Sequence, residues 1–196
     1  MDEKTALLHY LRESRTDLVG KLDGLGEYNA RRPLTPTGTN LLGLVRHVAS
    51  TQLWYFTDTF GRPAHLDTPW LDDDAEPDAD MWVPADESIA SVVAFHELSG
   101  QLADETIEAL PLDAPGEVPW WRPENRAVTL QRILVHMVSE TARHAGHADI
   151  LRELIDDTAG LRQGDVNVPE RSAEQWATYR GRIEQAARDA AATAGA

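Results

Sequence analysis

The segment from Thr129 to Asp157 constrains the fold most strongly. It contains no proline, its one glycine is Gly146, and apolar residues recur along it at helical spacing. Thr129 has a side chain suited to capping the first turn. The sequence therefore predicts a long amphipathic helix from Thr129 to about Asp157.

Other segments show the same helical spacing of apolar residues, and no segment alternates in the strand period over a useful length, except briefly around Glu117 to Trp120. The sequence predicts further helices over 2–22, from a Thr39 or Asn40 cap to near Gly61, from about Ser88 to just before Pro111, and from a Ser172–Gln175 capping box through Ile183 to 192. We therefore expect an all-α fold, a four-helix bundle followed by a C-terminal helix.

The link between the second and third of these helices sets the expected topology. It runs from Gly61 to Ala85, 25 residues, far longer than an antiparallel neighbour needs. Since an extended chain covers about 3.3 Å per residue, the link can run the length of a bundle. We expect an up-down-down-up bundle with one long crossover, and a single domain over 1–196 with the bundle over 2–157.

The same link is rich in acidic residues, which raises the question of a calcium site. It lacks the glycine and the terminal glutamate of an EF-hand loop, so we interpret it as a solvated acidic loop. Its acidic residues are Asp72, Asp73, Asp74, Glu76, Asp78 and Asp80.

Charge and composition exclude several classes of function. Lysine and arginine number 18 against 33 aspartates and glutamates, a formal charge of -15, which disfavours nucleic acid and anionic membrane surfaces as partners. No long apolar run is present, so we expect neither a signal peptide nor a membrane span, and a cytoplasmic location. Because the chain has no cysteine, any thiol chemistry must use a thiol from outside the protein.

The helix from Thr129 carries ionisable residues in its apolar stripe. The residues of this stripe follow one another at alternating intervals of four and three, as in a heptad repeat. A buried carboxylate in such a stripe costs several kcal/mol unless it is paired or bound to a cation. Residues four apart have Cβ atoms about 5–6 Å apart, so Glu140 and His144 can reach one ion. The stripe comprises Ile133, Met137, Glu140, His144, His147, Leu151 and Leu154.

A third ligand is expected from the second predicted helix, where His47 lies on the apolar side. Two histidines and one carboxylate, without a thiolate, are typical of catalytic zinc rather than structural zinc. The alternatives are that His47 is a packed core histidine and that Glu140 and His144 form a helix ion pair. His147 and His136 are candidates for an alternative ligand or for a hydrogen-bond partner of a ligand. We interpret His9, His65 and His96 as surface or packing residues.

Four of the six tryptophans lie in the two long links between helices and not on helices. Such aromatic loops either wall a pocket or cover the ends of the bundle core, and the sequence does not separate these two roles. The four are Trp70, Trp82, Trp120 and Trp121.

Two segments carry a resemblance to a known family. PTGTNLLGLVRHV, Pro36 to Val48, and TLQRILVHMVSETARHAGHADILREL, Thr129 to Leu154, resemble the signature helices of the DinB superfamily, in the branch of mycothiol-dependent enzymes. The resemblance implies an up-down-down-up bundle that holds zinc or nickel, with His47, Glu140 and His144 as first, second and third ligand. Glu140 departs from the all-histidine form and is similar to the mycothiol-dependent maleylpyruvate isomerase, where a glutamate takes this place.

The resemblance also implies an activity. We expect a metal-dependent S-transferase that activates a low-molecular-weight thiol, mycothiol, for conjugation to a small electrophile; the metal would be zinc, with nickel or iron as alternatives. The rival interpretations are a thiol-dependent isomerase of the maleylpyruvate type, a non-haem iron oxygenase, and a metal-binding stress protein without activity. The sequence does not identify the electrophile, and it leaves a monomer and a homodimer equally open.

Overall fold

The computed structural model describes residues 1–72, 74–162 and 167–194, so Asp73 of the acidic link lies outside the described residues. The structure confirms the all-α class: helices dominate the described residues, which also include a two-stranded ribbon. The helices are α1 (Glu3–Gly20), α2 (Glu27–Arg31), α3 (Leu41–Phe56), α4 (Ile89–Ala109), α5 (Leu130–Asp156) and α6 (Ala173–Ala194), with 3-10 turns at Asp58–Phe60, Pro69–Leu71, Ala79–Met81 and Pro123–Asn125. The short helix α2 was not predicted.

The helix ends follow the predicted capping residues. Thr129 Oγ1 accepts a hydrogen bond from the backbone N–H of Arg132, and Ser172 and Gln175 form the reciprocal capping box. Of the two candidates before α3, Asn40 is the cap. These signals are local, because a side chain bonds a backbone group two or three residues away, so the sequence alone predicts them.

Contacts between α3 and α4 show that the two helices run parallel. Gln52 of α3 donates to Ser99 of α4, while Arg46, earlier in α3, pairs with Glu87 just before α4 begins. The long link between them is therefore a crossover, as its length predicted.

Contacts of α1 fix the direction of the other helices. Lys4, at its start, donates to the carbonyl of Leu110 after the end of α4, and Arg15 donates to the carbonyl of Gly100, so α1 and α4 are antiparallel. Lys21, after the end of α1, pairs with Asp149 late in α5, whereas the start of α1 contacts the start of α5. The bundle is up-down-down-up, as predicted.

The buried face of α5 differs from the predicted stripe. Leu154 is 62% exposed and His147 is exposed, so the prediction that they are buried was wrong. A straight helix has 3.6 residues per turn, so a strict seven-residue repeat drifts off the true buried face. That face comprises Leu130, Ile133, Leu134, Met137, Thr141, Ala145, Ala148 and Leu151. Glu140 and His144 therefore lie at its border, where side chains are half-buried.

The link between α4 and α5 contains a short ribbon. Strand β1 (Pro115–Glu117) pairs antiparallel with β2 (Ala127–Thr129). The brief strand expected around Glu117 to Trp120 overlaps β1 at one residue, Glu117. The loop between the strands carries Trp120 and Trp121. Three-residue strands are too short for their alternation to stand out in a sequence.

The chain divides into two compact units, Met1–Val166 and Asn167–Ala196. The bundle lies in the first unit, and none of the described residues of α6, in the second, is buried. A single domain over 1–196 thus stays a prediction. In the described part of the chain, every helix is too short or too polar to span a bilayer.

Candidate metal centre

The three predicted ligands come together between α3 and α5. His47 projects from the middle of α3, and Glu140 and His144 project from successive turns of α5. One nitrogen of each histidine and one oxygen of Glu140 all lie within 4.8 Å of one another. The site is partly open, since the side chains of His144 and Glu140 are 12% and 26% exposed.

The distances suit a common cation. Both histidines direct Nε2 at the same carboxylate oxygen: Glu140 Oε1 lies 3.0 Å from His144 Nε2 and 3.5 Å from His47 Nε2. Ligand atoms about 2.1 Å from a tetrahedral zinc ion are about 3.4 Å apart. The two measured gaps bracket that spacing, so these side chains are placed to share one ion.

Asp80 is a residue of the site that sequence reasoning missed. Its Oδ2 lies 2.6 Å from His47 Nδ1, on the ring nitrogen opposite the one that faces Glu140. Metal-binding histidines commonly donate their second N–H to a carboxylate, which fixes the ring and its tautomer. Asp80 belongs to the acidic link that we interpreted as a solvated loop; for this residue that interpretation was wrong.

A close approach of two backbones holds Asp80 in place. The carbonyl of Met81 lies so near Gly43 of α3 that a Cβ there would be 1.8 Å from its oxygen. Asn40 Nδ2 donates to the same carbonyl, and Arg46 donates to the carbonyl of Trp82. Residues 80–82 are thereby fixed on the N-terminal half of α3, and Asp80 is directed at His47.

Electrostatics favour ionised carboxylates at the centre. Burial raises the pKa of Glu140, but the neighbouring His144 and His47 outweigh it and the net pKa is lowered. Burial likewise opposes ionisation of Asp80, and the hydrogen bond to His47 lowers its pKa overall. Both groups are therefore carboxylates at neutral pH.

The two histidines differ. Burial lowers the pKa of His144, and the charge of His47 adds to this effect, so His144 favours the neutral form that binds metals. For His47, burial is outweighed by the hydrogen bond to Asp80 and by Glu140, and its pKa is raised. Without another cation, a proton on His47 is thus the stabilising positive charge.

The donor set fits a divalent metal. When His47 donates Nδ1–H to Asp80, its Nε2 lone pair faces the Glu140 carboxylate, and two acceptors this close repel unless a cation lies between them. Two carboxylates and two neutral imidazoles carry a charge of about −2. A divalent cation neutralises that charge, whereas one proton on His47 neutralises only half of it.

His147 and His136 lie outside the donor group found among the described residues. His147 is exposed, and its ring packs edge-on against His144 with centroids 5.4 Å apart. Nδ1 of His144 is buried and, within the described part of the chain, has no hydrogen-bond partner. His136, one turn before Glu140, packs against Tyr55 and Trp121.

The other three histidines lie elsewhere: His9 and His65 are exposed and His96 is buried, which fits surface and packing roles.

The link tryptophans do not share one role. Trp70 stacks on Arg46 with the guanidinium carbon 3.7 Å from the ring centroid, and Trp82 is 52% exposed. Trp120 packs against Trp54 and Tyr55 of α3, and Trp121 packs against Tyr55 and against His136 of α5. With residues of the two helices they form a group that we call the aromatic wall: Trp54, Tyr55, Trp120, Trp121 and His136.

Comparison with known proteins gives a family and a fold. A family model described as mycothiol-S-transferase matches residues 6–157. Three chains of solved structures match; one, described as the conserved protein of locus from Enterococcus faecalis, is 18% identical with a TM-score of 0.56, covering 81% of this chain and 99% of its own. At that identity it supports the bundle fold alone. No curated protein matches the chain.

Proposed function

Because the chain belongs to the mycothiol-S-transferase family, we propose that it is a metal-dependent S-transferase that joins a low-molecular-weight thiol, mycothiol, to a small electrophile. The observation that carries the proposal is the convergence of His47, Glu140 and His144 on one point, with Asp80 orienting His47. The same centre lies in a chain without cysteine, so the sulfur must come from the substrate.

His47, Glu140 and His144 would hold the metal, and we propose zinc. Two imidazole nitrogens and one carboxylate oxygen, with no thiolate, are the ligand types of catalytic zinc sites, which keep a position open for substrate. A divalent metal there would supply Lewis-acid chemistry, lowering the pKa of a coordinated thiol so that it loses its proton at neutral pH.

The protein's own residues hold this centre ready and leave one side open. Asp80 keeps the His47 ring in one orientation, so the site needs little rearrangement when substrate arrives. Glu140 carries a negative charge that would balance part of the charge of a bound divalent metal. The partial exposure of His144 and Glu140 gives a substrate access to the centre.

With a chloronitroarene the reaction balances as a substitution. The thiol sulfur forms a bond to the ring carbon, chloride leaves with the electron pair of the broken carbon–chlorine bond, and the thiol proton passes to solvent. No oxidant or reductant is needed.

The experiment is a conjugation assay with mycothiol and 1-chloro-2,4-dinitrobenzene, following thioether formation and chloride release. We expect turnover with protein loaded with one equivalent of zinc and none above background with metal-free protein. Bacillithiol and glutathione serve as comparison thiols, and mycothiol should be preferred. Absence of conjugation with all three thiols would contradict the transferase. Thiol-dependent isomerisation of maleylpyruvate by the same protein would then favour the isomerase, for which the glutamate ligand Glu140 argues.

A further inference from the structure

The aromatic wall is organised around the buried hydroxyl of Tyr55. Trp121 Nε1 donates to Tyr55 Oη at 2.8 Å and Trp120 Nε1 donates to the same oxygen at 3.4 Å. Tyr55 is 7% exposed, and its ring packs against both tryptophans and against His136. Two consecutive loop tryptophans are thus fixed on α3 by one side chain.

The wall leaves part of its aromatic surface open to solvent. Trp120 is 45% exposed although its N–H is bonded inward, so its exposed surface is mostly carbon. Trp54 lies beside it, with ring centroids 5.3 Å apart and planes tilted by 49°. A large aromatic ring held rigidly at the surface loses no rotamer freedom when a ligand stacks on it.

The wall lies on the same side of the bundle as the metal centre. Trp54 follows His47 by seven residues, two turns of α3, and His136 precedes Glu140 by four, one turn of α5. At 1.5 Å per residue these separations are about 10 Å and about 6 Å along the helix axes. A small molecule that rests on the wall can therefore place a reactive atom near the metal centre.

We infer that the aromatic wall binds the electrophile, and that the electrophile is a flat, uncharged, aromatic compound stacked on Trp120 with Trp54 beside it. The inference rests on the proposed function, since it names the second substrate class of the same centre. The wall acts in positioning and not in the chemical step.

The wall suits an aromatic electrophile better than the sugar thiol. A polyhydroxylated ligand needs hydrogen-bonding groups in its site, because its hydroxyls lose water on binding. Two of the wall's three indole N–H donors are already used by Tyr55. With these donors used, Trp120 and Trp121 offer a ligand mainly carbon ring surface, which gains most from a ring that can stack.

Binding is tested without thiol and without turnover. The probe is 1,3-dinitrobenzene, which has no leaving group, and its binding to the zinc-loaded protein is followed by equilibrium dialysis. We expect one molecule per chain for the wild type and a Kd about five- to tenfold higher for Trp120→Ala. Trp120→Phe keeps a ring and should stay within about twofold. Tyr28→Ala, which removes an exposed aromatic side chain from α2, should leave the Kd unchanged.

Kinetics provide the second measurement. Trp120→Ala should raise the KM for 1-chloro-2,4-dinitrobenzene about five- to tenfold, with the KM for mycothiol and the zinc content unchanged. An unchanged Kd for 1,3-dinitrobenzene, or a raised mycothiol KM with an unchanged electrophile KM, would overturn the inference. If probe binding depends on Trp120 but no thiol is conjugated, the aromatic site stands and only the proposed transferase fails.

Discussion

Asp80 Oδ2 and His47 Nδ1 lie 2.6 Å apart across 33 residues of sequence, and this contact ties the long crossover to the metal centre. The link between the parallel helices α3 and α4 therefore also contributes a residue to the site. The crossover supplies the group that orients one proposed ligand, while α3 and α5 supply the three proposed ligands.

Replacing Asp80 with asparagine should weaken metal binding without removing a ligand. The amide has no charge to favour His47 donating from Nδ1, so the zinc Kd should rise about 10- to 100-fold. The measurement is a competition titration of zinc against a chelating dye. Asp78→Asn, an exposed residue of the same loop, is the control and should bind as the wild type does. Equal zinc affinity for Asp80→Asn and wild type would rule out the orienting role.

Gly43→Ala should weaken zinc binding although Gly43 is not one of the proposed ligands. The new Cβ would lie 1.8 Å from the Met81 carbonyl oxygen, so the turn that carries Asp80 must move away. We expect the zinc Kd to rise at least about tenfold, and a lower Tm. Gly146→Ala is the matched control, because its Cβ meets nothing within 4 Å. That variant should keep its zinc affinity and gain up to about 1 kcal/mol of stability. Wild-type affinity in Gly43→Ala would show that the close approach does not position Asp80.

Buried His96 should make stability depend on pH. Burial, with the charge of Arg15, lowers its pKa to about 4, whereas the unfolded chain has the usual value near 6.5. Between these values the unfolded state binds the proton and the folded state does not, so stability is complete above about pH 6.5 and falls as the pH decreases.

The contribution of His96 is measurable by urea unfolding of metal-free protein. Between pH 7.5 and pH 5 the free energy of unfolding should fall by about 2 kcal/mol more in the wild type than in His96→Leu. The same pH dependence in wild type and His96→Leu would show that His96 does not titrate in this way.

Most of the helices and the three proposed ligands could be predicted because they depend on short-range signals in the sequence. The caps at Thr129 and Ser172 involve neighbouring residues, and the link between α3 and α4 is long enough for a crossover, which is why one was expected. The spacing of Glu140 and His144 follows from helix geometry alone. Their grouping with His47 needed only the expectation that both helices face each other.

The rest depends on where distant segments meet. Nothing in the acidic run distinguishes Asp80 from Asp78; only the approach of Met81 to Gly43 selects it. The aromatic wall likewise requires the loop after β1 to lie against Tyr55 of α3. The prediction for α5 used a seven-residue repeat, whereas a straight helix has 3.6 residues per turn. The difference accumulates along the helix, so Leu154 and His147 lie outside the buried face on which they were predicted.

The number of zinc ions bound per chain, measured by elemental analysis of untagged protein, tests the central claim most directly. We expect one ion per chain for the wild type and for the His9→Ala control. For His144→Ala, which loses one of three ligands, we expect less than a tenth of that amount with unchanged helicity by circular dichroism. Retention of one full equivalent by His144→Ala would contradict the assignment of His47, Glu140 and His144 as the metal centre.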